Sequence, residues 1–316
     1  MSAKAGKTLV QSDAGSYAAW SGADQPELAA EGLGCGLLVL RPLGLAMPHY
    51  ADSPKFGYVV LGGSGLAGVL PVSRGAAERV VRLEAGDVIA VRAGDVSWWY
   101  NDDAAGTGAD LSIVFMGDTA RAVSPGDISY FFLAGGRFRV QSQPAVLLTR
   151  LSQRLHGVCP GEHDKKGLVA NAGHVAARAR AVKTVTAPDL ADLSSLGISA
   201  ALGRLEPGAA RAPWVIRGSA RVQVSLAAGG ETLLLDEEVG AGSVFVAPRF
   251  AVAFIAAGTD GVEWISLIKS ARPAVEQLTG KGSVLGGLAA EVVQASLNVA
   301  PELVALLRGG RAASSN

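Results

Sequence analysis

The feature that most constrains the fold is an internal duplication. Residues 83–91 read LEAGDVIAV and residues 239–247 read VGAGSVFVA, so each copy has an Ala-Gly turn followed by alternating apolar residues. Two upstream blocks recur in the same order: 40–48 (LRPLGLAMP) in 205–213 (LEPGAARAP), and 58–66 (YVVLGGSGL) in 214–222 (WVIRGSARV). A repeat of this length is a whole barrel or sandwich rather than a solenoid unit, so the sequence predicts two similar β domains in tandem.

The composition agrees with two domains and excludes some partners. A chain of 316 residues is long enough for two ordinary domains with separate cores. Lys plus Arg equals Asp plus Glu at 28 each, so no net field would attract nucleic acid or an anionic membrane. The first residues have no continuous apolar core of the kind a secretory signal needs, which predicts a cytoplasmic protein.

Cysteine usage fits a reducing compartment. The two cysteines are Cys35, inside the apparent strand GLGCGLLVL, and Cys159, which precedes a proline. They form neither a disulfide framework nor a metal-ligand pair by spacing. The sequence therefore favours two free thiols, with Cys35 buried in a strand, over a single disulfide between them.

The chain divides into four predicted regions. Short runs of Val, Leu, Ile and Tyr separated by Gly, Pro and Asp indicate an all-β domain, and a polar, His-bearing stretch follows it. The regions are an N-terminal barrel over 1–143, an inter-domain helix and loop over 144–196 with a short helix at 145–155, a shortened barrel over 197–272, and a helical arm over 273–316. In the barrels, Gly86 and its counterpart Gly242 predict hairpins, as do Gly63 and Gly218.

Apolar positions in the arm predict a covered surface. The last helix is expected to open at Pro301, since proline suits a first helical turn, and to end at the following glycines. Apolar stripes that a barrel or another subunit must cover are formed by Val292, Val293, Ser296, Leu297, Leu303, Leu306 and Leu307.

The paired blocks resemble the two barrels of a cupin, and the chain is more closely similar to the legumin-type (11S) seed storage globulins and their glutelin type-D relatives. The stretches that carry the resemblance are PHYADSPKFGYVVLGGSGLAGVLP (48–71), SWWYN (97–101), GSARVQVS (218–225), AGSVFVAPRF (241–250) and EVVQASLNVAPELVALLR (291–308). The resemblance runs from about residue 16 to residue 308. It implies an all-β fold with accessory helices, made of two tandem cupin jelly-roll barrels and a helical C-terminal arm.

The same resemblance implies a function and partners. It implies a non-catalytic protein with nutrient reservoir activity, which assembles through its helical arms into a homotrimer or hexamer. Deposition in a vacuole or storage body is implied beside the cytoplasmic prediction. No catalytic, cofactor-binding or metal-binding residue is predicted, and the protein is not expected to be an enzyme.

The prediction of no metal depends on the metal motifs of cupins, which bring three imidazoles and a carboxylate together inside the barrel. In the first barrel only His49 stands in the first motif, and Lys55 lies near the place of the glutamate. In the second motif, Ser97 replaces the expected histidine. A cation at the carboxylate position and a single imidazole do not make such a site.

The second barrel has even fewer candidate metal ligands than the first. Trp214 follows Pro213 directly, so nine residues that would carry its first motif are missing, and the second-motif His and Asn positions are Ala253 and Ala257. A barrel that lacks this segment exposes a sheet edge, which must be covered by neighbouring residues.

Three functional alternatives remain open from the residues themselves. A cupin enzyme or small-ligand binder would use the mouth of the first barrel, formed by His49, Tyr50, Asp52, Ser97, Trp99 and Asn101. Strand alternation places Ser97, Trp99 and Asn101 inward, where a Trp is a core residue more often than a ligand platform. Ser97, His49 and Asp52 would be a nucleophile, base and orienting acid. A zinc site in the connector would use His156, Cys159, Glu162 and His163.

Overall fold

The structure is a computed structural model that describes residues 2–60, 63–73, 76–133, 147–155, 158–161, 165–172, 180–186, 188–205, 214–227, 231–248, 251–270, 279 and 283–309. Residues 1–272 form one compact unit and residues 273–316 form another. Among the described residues, the first unit contains three β-sheets and two short helices, and the second contains helices without strands.

The strands of the first half are β1 (Lys4–Ala5), β2 (Lys7–Ser12), β3 (Gly15–Trp20), β4 (Leu33–Leu40), β5 (Gly44–Ala51), β6 (Lys55–Val59), β7 (Gly65–Leu70), β8 (Arg79–Leu83), β9 (Asp87–Val91), β10 (Val96–Tyr100), β11 (Leu111–Asp118) and β12 (Tyr130–Phe132). Those of the second half are β13 (Leu148–Arg150), β14 (Val169–Asn171), β15 (Arg180–Val185), β16 (Ser199–Leu205), β17 (Trp214–Ala227), β18 (Glu231–Gly240), β19 (Ser243–Val244) and β20 (Val252–Ile268). The helices are α1 (Pro26–Glu31), α2 (Ala191–Leu196), α3 (Val284–Gly287), α4 (Ala290–Leu297) and α5 (Pro301–Leu307).

These strands make a front, a middle and a rear sheet. The front sheet has the order β12-β5-β10-β7-β8, with β13 also on β5, and the middle sheet has the order β14-β9-β6-β11-β4-β3-β2. The rear sheet has the order β1-β19-β17-β20-β16-β15, with β18 also on β17. All pairings are antiparallel, including Ser97 opposite His49 between β10 and β5. The prediction of an all-β fold with accessory helices is confirmed.

The middle sheet is buried on both faces. Every residue of β6 and β9 is buried, so neither strand shows the apolar-polar alternation of a half-exposed strand. Val59 and Ile89 join the core between the middle and front sheets. Phe56 and Tyr58 join a second core that includes Ile265 of the rear sheet. The first barrel is thus closed by the front and middle sheets, and its back packs on the second.

The second barrel is built from two unusually long strands. β17 and β20 pair over most of their lengths, with register shifts on both sides of Gly218. Gly218 has a φ of 80°, and a Cβ there would lie 2.0 Å from the Gly261 carbonyl oxygen. The hairpin predicted at Gly218 is therefore wrong, because this glycine makes a bulge within β17. Gly242, with a φ of 79°, lies in the turn between β18 and β19. The hairpins predicted at Gly242, Gly86 and Gly63 are also wrong, because the described strands on either side of each glycine pair with other strands and not with each other.

The gap in the second barrel shows in its strand order. In the described residues, β16 is followed by β17, and no strand equivalent to β5 lies between them. The core of this barrel is formed by apolar residues of β17, β18 and β20 together with Phe245, and it includes Trp264 at 2% exposure.

The region predicted as connector contributes strands to both barrels. β13 pairs with β5, β14 with β9, and β15 with β16. The helix predicted over 145–155 is wrong at Leu148–Arg150, which form β13, because pairing with β5 covers Leu148 in the first core. The boundaries at residues 143 and 196 stay a prediction. Cys35 is buried and Cys159 exposed, and both are free thiols, as the sequence favoured.

The arm is helical in its described residues. Ser283 caps α3, its side chain accepting a hydrogen bond from the Gly286 amide. Val293 and Val304 are buried, and Leu285, Val299 and Leu307 are half-buried. The other large apolar side chains of these residues are exposed: Val284, Leu288, Val292, Leu297, Leu303 and Leu306. Across the described residues no single helix has the length and hydropathy to span a membrane, although α4 and α5, bent by 112°, pass the test as a pair.

The N-terminal strand belongs to the second barrel. Lys4 of β1 pairs with Val244 of β19, so the first residues complete the rear sheet. Gln25, which is 2% exposed, supports this pairing because its Nε2 donates to the carbonyl oxygens of Ser2 at 2.8 Å and Val244 at 3.0 Å. The two barrels are therefore joined by hydrogen bonds as well as by a shared core.

Replacing Gln25 with Ala should lower the free energy of unfolding by about 1–3 kcal/mol, because two buried carbonyl groups lose their donor. Urea denaturation followed by circular dichroism measures the change. Gln11→Ala, at an exposed position of β2, is the matched control and should change stability by less than about 0.5 kcal/mol. Equal effects from both substitutions would contradict the role given to Gln25.

Candidate functional site

The candidate site is the interior of the first barrel, where polar side chains project between the front and middle sheets. Alternation along β6 directs Lys55 and Val59 to this interior and Phe56 to the opposite face. Ser97 and Trp99 of β10 enter from the front sheet, and both are fully buried. The site therefore collects side chains from two sheets, as a barrel interior does.

Lys55 is the unusual member of this interior. It is completely buried, and its Nζ makes no hydrogen bond with the described residues. The nearest features are aromatic: Nζ lies 4.9 Å from the ring centroid of Tyr130 and 5.8 Å from that of Phe115. Burial lowers the pKa of Lys55 to about 7, against the opposing effect of Asp52 and Asp95.

His49 is buried beside Lys55 and is neutral. Its Nδ1 lies 2.8 Å from the Met47 carbonyl oxygen, and since a carbonyl only accepts, Nδ1 carries the proton. The ring packs against Tyr130 at 5.2 Å and Phe132 at 5.0 Å between centroids. Burial, followed by the charge of Lys55, lowers the pKa of His49 to about 3. His49 is therefore a buried neutral residue with a satisfied Nδ1 hydrogen bond.

An apolar cavity adjoins these groups. Its volume is about 40 Å³, room for about three water-sized groups. The lining combines aromatic rings with aliphatic side chains: Val10, Tyr17, Leu38, Ala46, His49, Phe115, Tyr130, Phe132, Leu147 and Leu148. A small molecule in it would meet apolar surface on most sides.

The residues of this interior do not suit a cupin-type metal. Lys55, with its amine, lies near the place where such a site has a carboxylate, and His49 contributes the single imidazole of the described residues. In the described part of the chain no group of three His, Cys, Asp or Glu side chains could hold a metal ion. A cationic, acceptor-poor interior opposes metal binding on chemical grounds.

The catalytic triad that the sequence left open does not assemble. Ser97 lies opposite His49 across the strand pair, but its Oγ makes no hydrogen bond with any described residue. Asp52 does not orient the imidazole. Its Oδ1 accepts from the Ser53 hydroxyl at 2.8 Å, and its Oδ2 accepts from the Val123 amide at 2.9 Å. Ser97 is not hydrogen-bonded to a base, and His49 is not oriented by an acid. These residues therefore lack the hydrogen bonds that a nucleophilic triad requires.

Two other predicted mouth residues are structural. Asn101 donates through Nδ2 to the carbonyl oxygens of Leu40 and Ala109, both at 2.9 Å, and accepts from the Asp103 amide at 3.0 Å. The side-chain amide of Asn101 thus bonds to the backbone through both its nitrogen and its oxygen, and these bonds hold the loop that follows β10. Tyr50 is 36% exposed and stacks on Phe131 with an interplanar angle of 13°, away from the interior.

Trp99 is inward, as alternation predicts. It is fully buried and packs edge-on against Phe115 at 5.0 Å, so it is a core residue whose indole N–H remains without a partner among the described residues. Of the proposed zinc ligands, Cys159 is exposed, and His156, Glu162 and His163 lie outside the described residues.

Sequence reasoning missed the aromatic part of the site. Tyr17, Tyr130 and Phe132 line the cavity, and the hydroxyl of Tyr17 donates to that of Tyr130 at 3.2 Å. The aromatic run YFF at 130–132 was the available signal, but nothing in it shows that β12 pairs with β5.

Comparisons with known proteins bear on the whole chain. The cupin family model matches residues 2–124 and 169–305. The 11S globulin seed storage protein 2 of Sesamum indicum is 23% identical, over 97% of this chain and 88% of that protein. Glycinin G3 of Glycine max is 32% identical over 39% of this chain and 27% of its own length.

Solved structures agree with the fold. Pumpkin seed globulin superimposes with a TM-score of 0.80 at 21% identity, covering 98% of this chain and 95% of that one. Procruciferin, an 11S globulin from Brassica napus, gives 0.79 at 21% identity, with 97% and 93% covered. The resemblance to legumin-type globulins found in the sequence is confirmed.

Proposed function

Since the chain belongs to the cupin family, we propose that it is a non-catalytic, seed-storage-type bicupin whose role is nutrient reservoir. The observation that carries the proposal is the interior of the first barrel. Lys55 lies near the place where a metal-binding relative has a carboxylate, its Nζ is buried, and His49 is the single histidine among the described residues. Similarity to seed storage globulins over nearly the full chain supports the same role.

The alternative, an enzyme in the first barrel, has less support. An acid-base or nucleophilic mechanism needs groups within hydrogen-bond reach of one another. In the described residues, Ser97 has no such partner, and Asp52 is bonded to Ser53 and to the backbone amides of Val123 and Ser129. The described polar groups of the interior are thus as buried as those of an active site, but they are not linked by the hydrogen bonds that proton transfer needs.

The proposal includes self-association through the helical arm. Val292, Leu297, Leu303 and Leu306 expose between 40% and 51% of their surface on two adjoining helices. Apolar side chains grouped in this way indicate a protein interface, and a symmetric ring of like chains covers each arm by a heterologous contact. A homotrimer, or a hexamer of two trimers, is the assembly we propose.

Location follows from the proposed role. A nutrient reservoir accumulates in a storage compartment, so we propose deposition in a vacuole or storage body. The cytoplasmic location that the sequence favoured stays a prediction, and microscopy of the tagged chain in seed tissue distinguishes the two.

The proposed function is tested by metal content and molar mass measured on the same preparation. We expect metal well below one ion per chain by mass spectrometry, and light scattering at three or six times the 32.1 kDa of one chain. The variant Val292→Asp/Leu306→Asp should shift the mass toward the monomer, because two charges would be buried in the interface. The matched control, Val123→Asp at a 77% exposed position outside the arm, should leave the mass unchanged.

A stoichiometric transition metal in the wild-type preparation would overturn the non-catalytic assignment. A monomer at micromolar concentration would overturn the proposed assembly while leaving the barrel chemistry as it stands.

A further inference from the structure

Three hydrogen-bond donors inside the first barrel are buried without an acceptor among the described residues: Lys55 Nζ, Ser97 Oγ and Trp99 Nε1. An ammonium and an indole N–H can only donate, and a serine hydroxyl donates readily. Buried polar groups are nearly always hydrogen-bonded, so three unpaired donors in one interior require an explanation. We propose that the first barrel binds a small aliphatic monocarboxylate, whose oxygens accept from these donors and whose tail occupies the adjoining cavity.

Each donor lies next to a residue that lines this cavity. Lys55 Nζ is 4.9 Å from the centroid of Tyr130, and the Trp99 ring is 5.0 Å from that of Phe115. Ser97 is the cross-strand partner of His49. Tyr130, Phe115 and His49 all line the cavity, so the three donor-bearing residues lie directly behind its lining.

The charge of this interior calls for an anion. A buried ammonium is stable when it is paired, and the acidic side chains that act on Lys55 are committed elsewhere. Asp52 accepts from the Val123 and Ser129 amides and from Ser53. Asp95 accepts from the Val72 amide at 3.0 Å. An anion at Lys55 would supply the missing opposite charge and, by its second oxygen, an acceptor for Ser97 or Trp99.

The cavity selects a carboxylate with a short tail. Phosphate or sulfate would bring a second negative charge without a second cation to pair it. The apolar lining and the volume of about 40 Å³ suit a chain of about three carbons. Butyrate satisfies both conditions, and benzoate, which carries a bulkier ring, is the comparison ligand for tail size.

The test is calorimetric titration of the full-length chain with butyrate at pH 6.5, after dialysis into chloride buffer. We expect saturable binding of one butyrate per chain. Lys55→Met should weaken it at least about tenfold, because it removes a charged hydrogen bond. Ser97→Ala should weaken it by a smaller factor. Lys7→Met, at an exposed position of β2, is the matched control and should bind as wild type does.

Several results would overturn the proposal. They are the absence of butyrate binding, equal binding by Lys55→Met, tighter binding of chloride, phosphate or benzoate than of butyrate, and a water-only interior in a crystal grown with butyrate. Circular dichroism of Lys55→Met verifies its fold, and Lys55→Arg, which keeps the charge, should retain part of the affinity if the variant folds. None of these outcomes changes the expected metal content or molar mass, so failure here is distinguishable from failure of the storage role.

Discussion

Replacing Lys55 with Met is expected to raise the free energy of unfolding by about 3–5 kcal/mol at pH 6 in buffer without carboxylates. The amine is completely buried, and removing an unpaired buried charge eliminates a desolvation cost of that order. Met fills a similar volume with an apolar chain. Guanidinium denaturation of both proteins measures the difference.

The pH dependence of this gain identifies its cause. Burial lowers the pKa of Lys55 from its usual 10.5 to about 7, so between these values the unfolded chain holds more protons than the folded one. The contribution of Lys55 to the free energy of unfolding of the wild type therefore rises with pH from about 7 to 10.5 and is lowest below 7. The advantage of Lys55→Met should shrink across that window. Lys7→Met should show no such trend, and a constant advantage for Lys55→Met at all pH values would show that packing, not charge, is responsible.

Replacing Phe56 with Ala is expected to lower the free energy of unfolding by about 3–5 kcal/mol, because a fully buried ring is lost from a packed core. This core contains residues of both barrels, among them Ile265 and Val244. Both barrels should therefore unfold together in the wild type. Tryptophan fluorescence and circular dichroism should report coincident guanidinium transitions.

Phe131→Ala is the matched control, since Phe131 is a partly exposed ring that stacks on Tyr50 at the surface. It should cost no more than about 1 kcal/mol. If Phe56→Ala shifts only one of two separate transitions, the two barrels are energetically independent, and the shared core does not couple them.

The repeat predicted the architecture well because turns and strands leave local signals. Gly86 and Gly242 take the left-handed backbone that the Ala-Gly turns require, with φ of 87° and 79°. The prediction at Gly218 was wrong because a turn and a bulge leave the same local signal, a glycine. Its left-handed backbone serves a bulge within β17, and only the close approach of the Gly261 carbonyl oxygen, a long-range contact, makes glycine necessary there.

Long-range pairing also limited the prediction of the connector and the site. The local composition around Leu148–Arg150 predicts a helix. These residues form a strand because they pair with β5, and that pairing leaves no signal in the local sequence. Lys55 could be placed in the barrel from the sequence. The sequence could not predict that Lys55 meets Tyr130 and Phe115 instead of a carboxylate, because Tyr130 reaches the interior through the pairing of β12 with β5.

The pairing of Lys4–Ala5 with Ser243–Val244 has a consequence for synthesis on the ribosome. The first of these segments is translated more than two hundred residues before the second. During that interval the first barrel can fold, while β1, which belongs to the second barrel, has no β19 to pair with. The rear sheet is completed late, when nearly the whole chain has emerged, so a protein fused ahead of residue 4 would sit at the place where the last barrel closes.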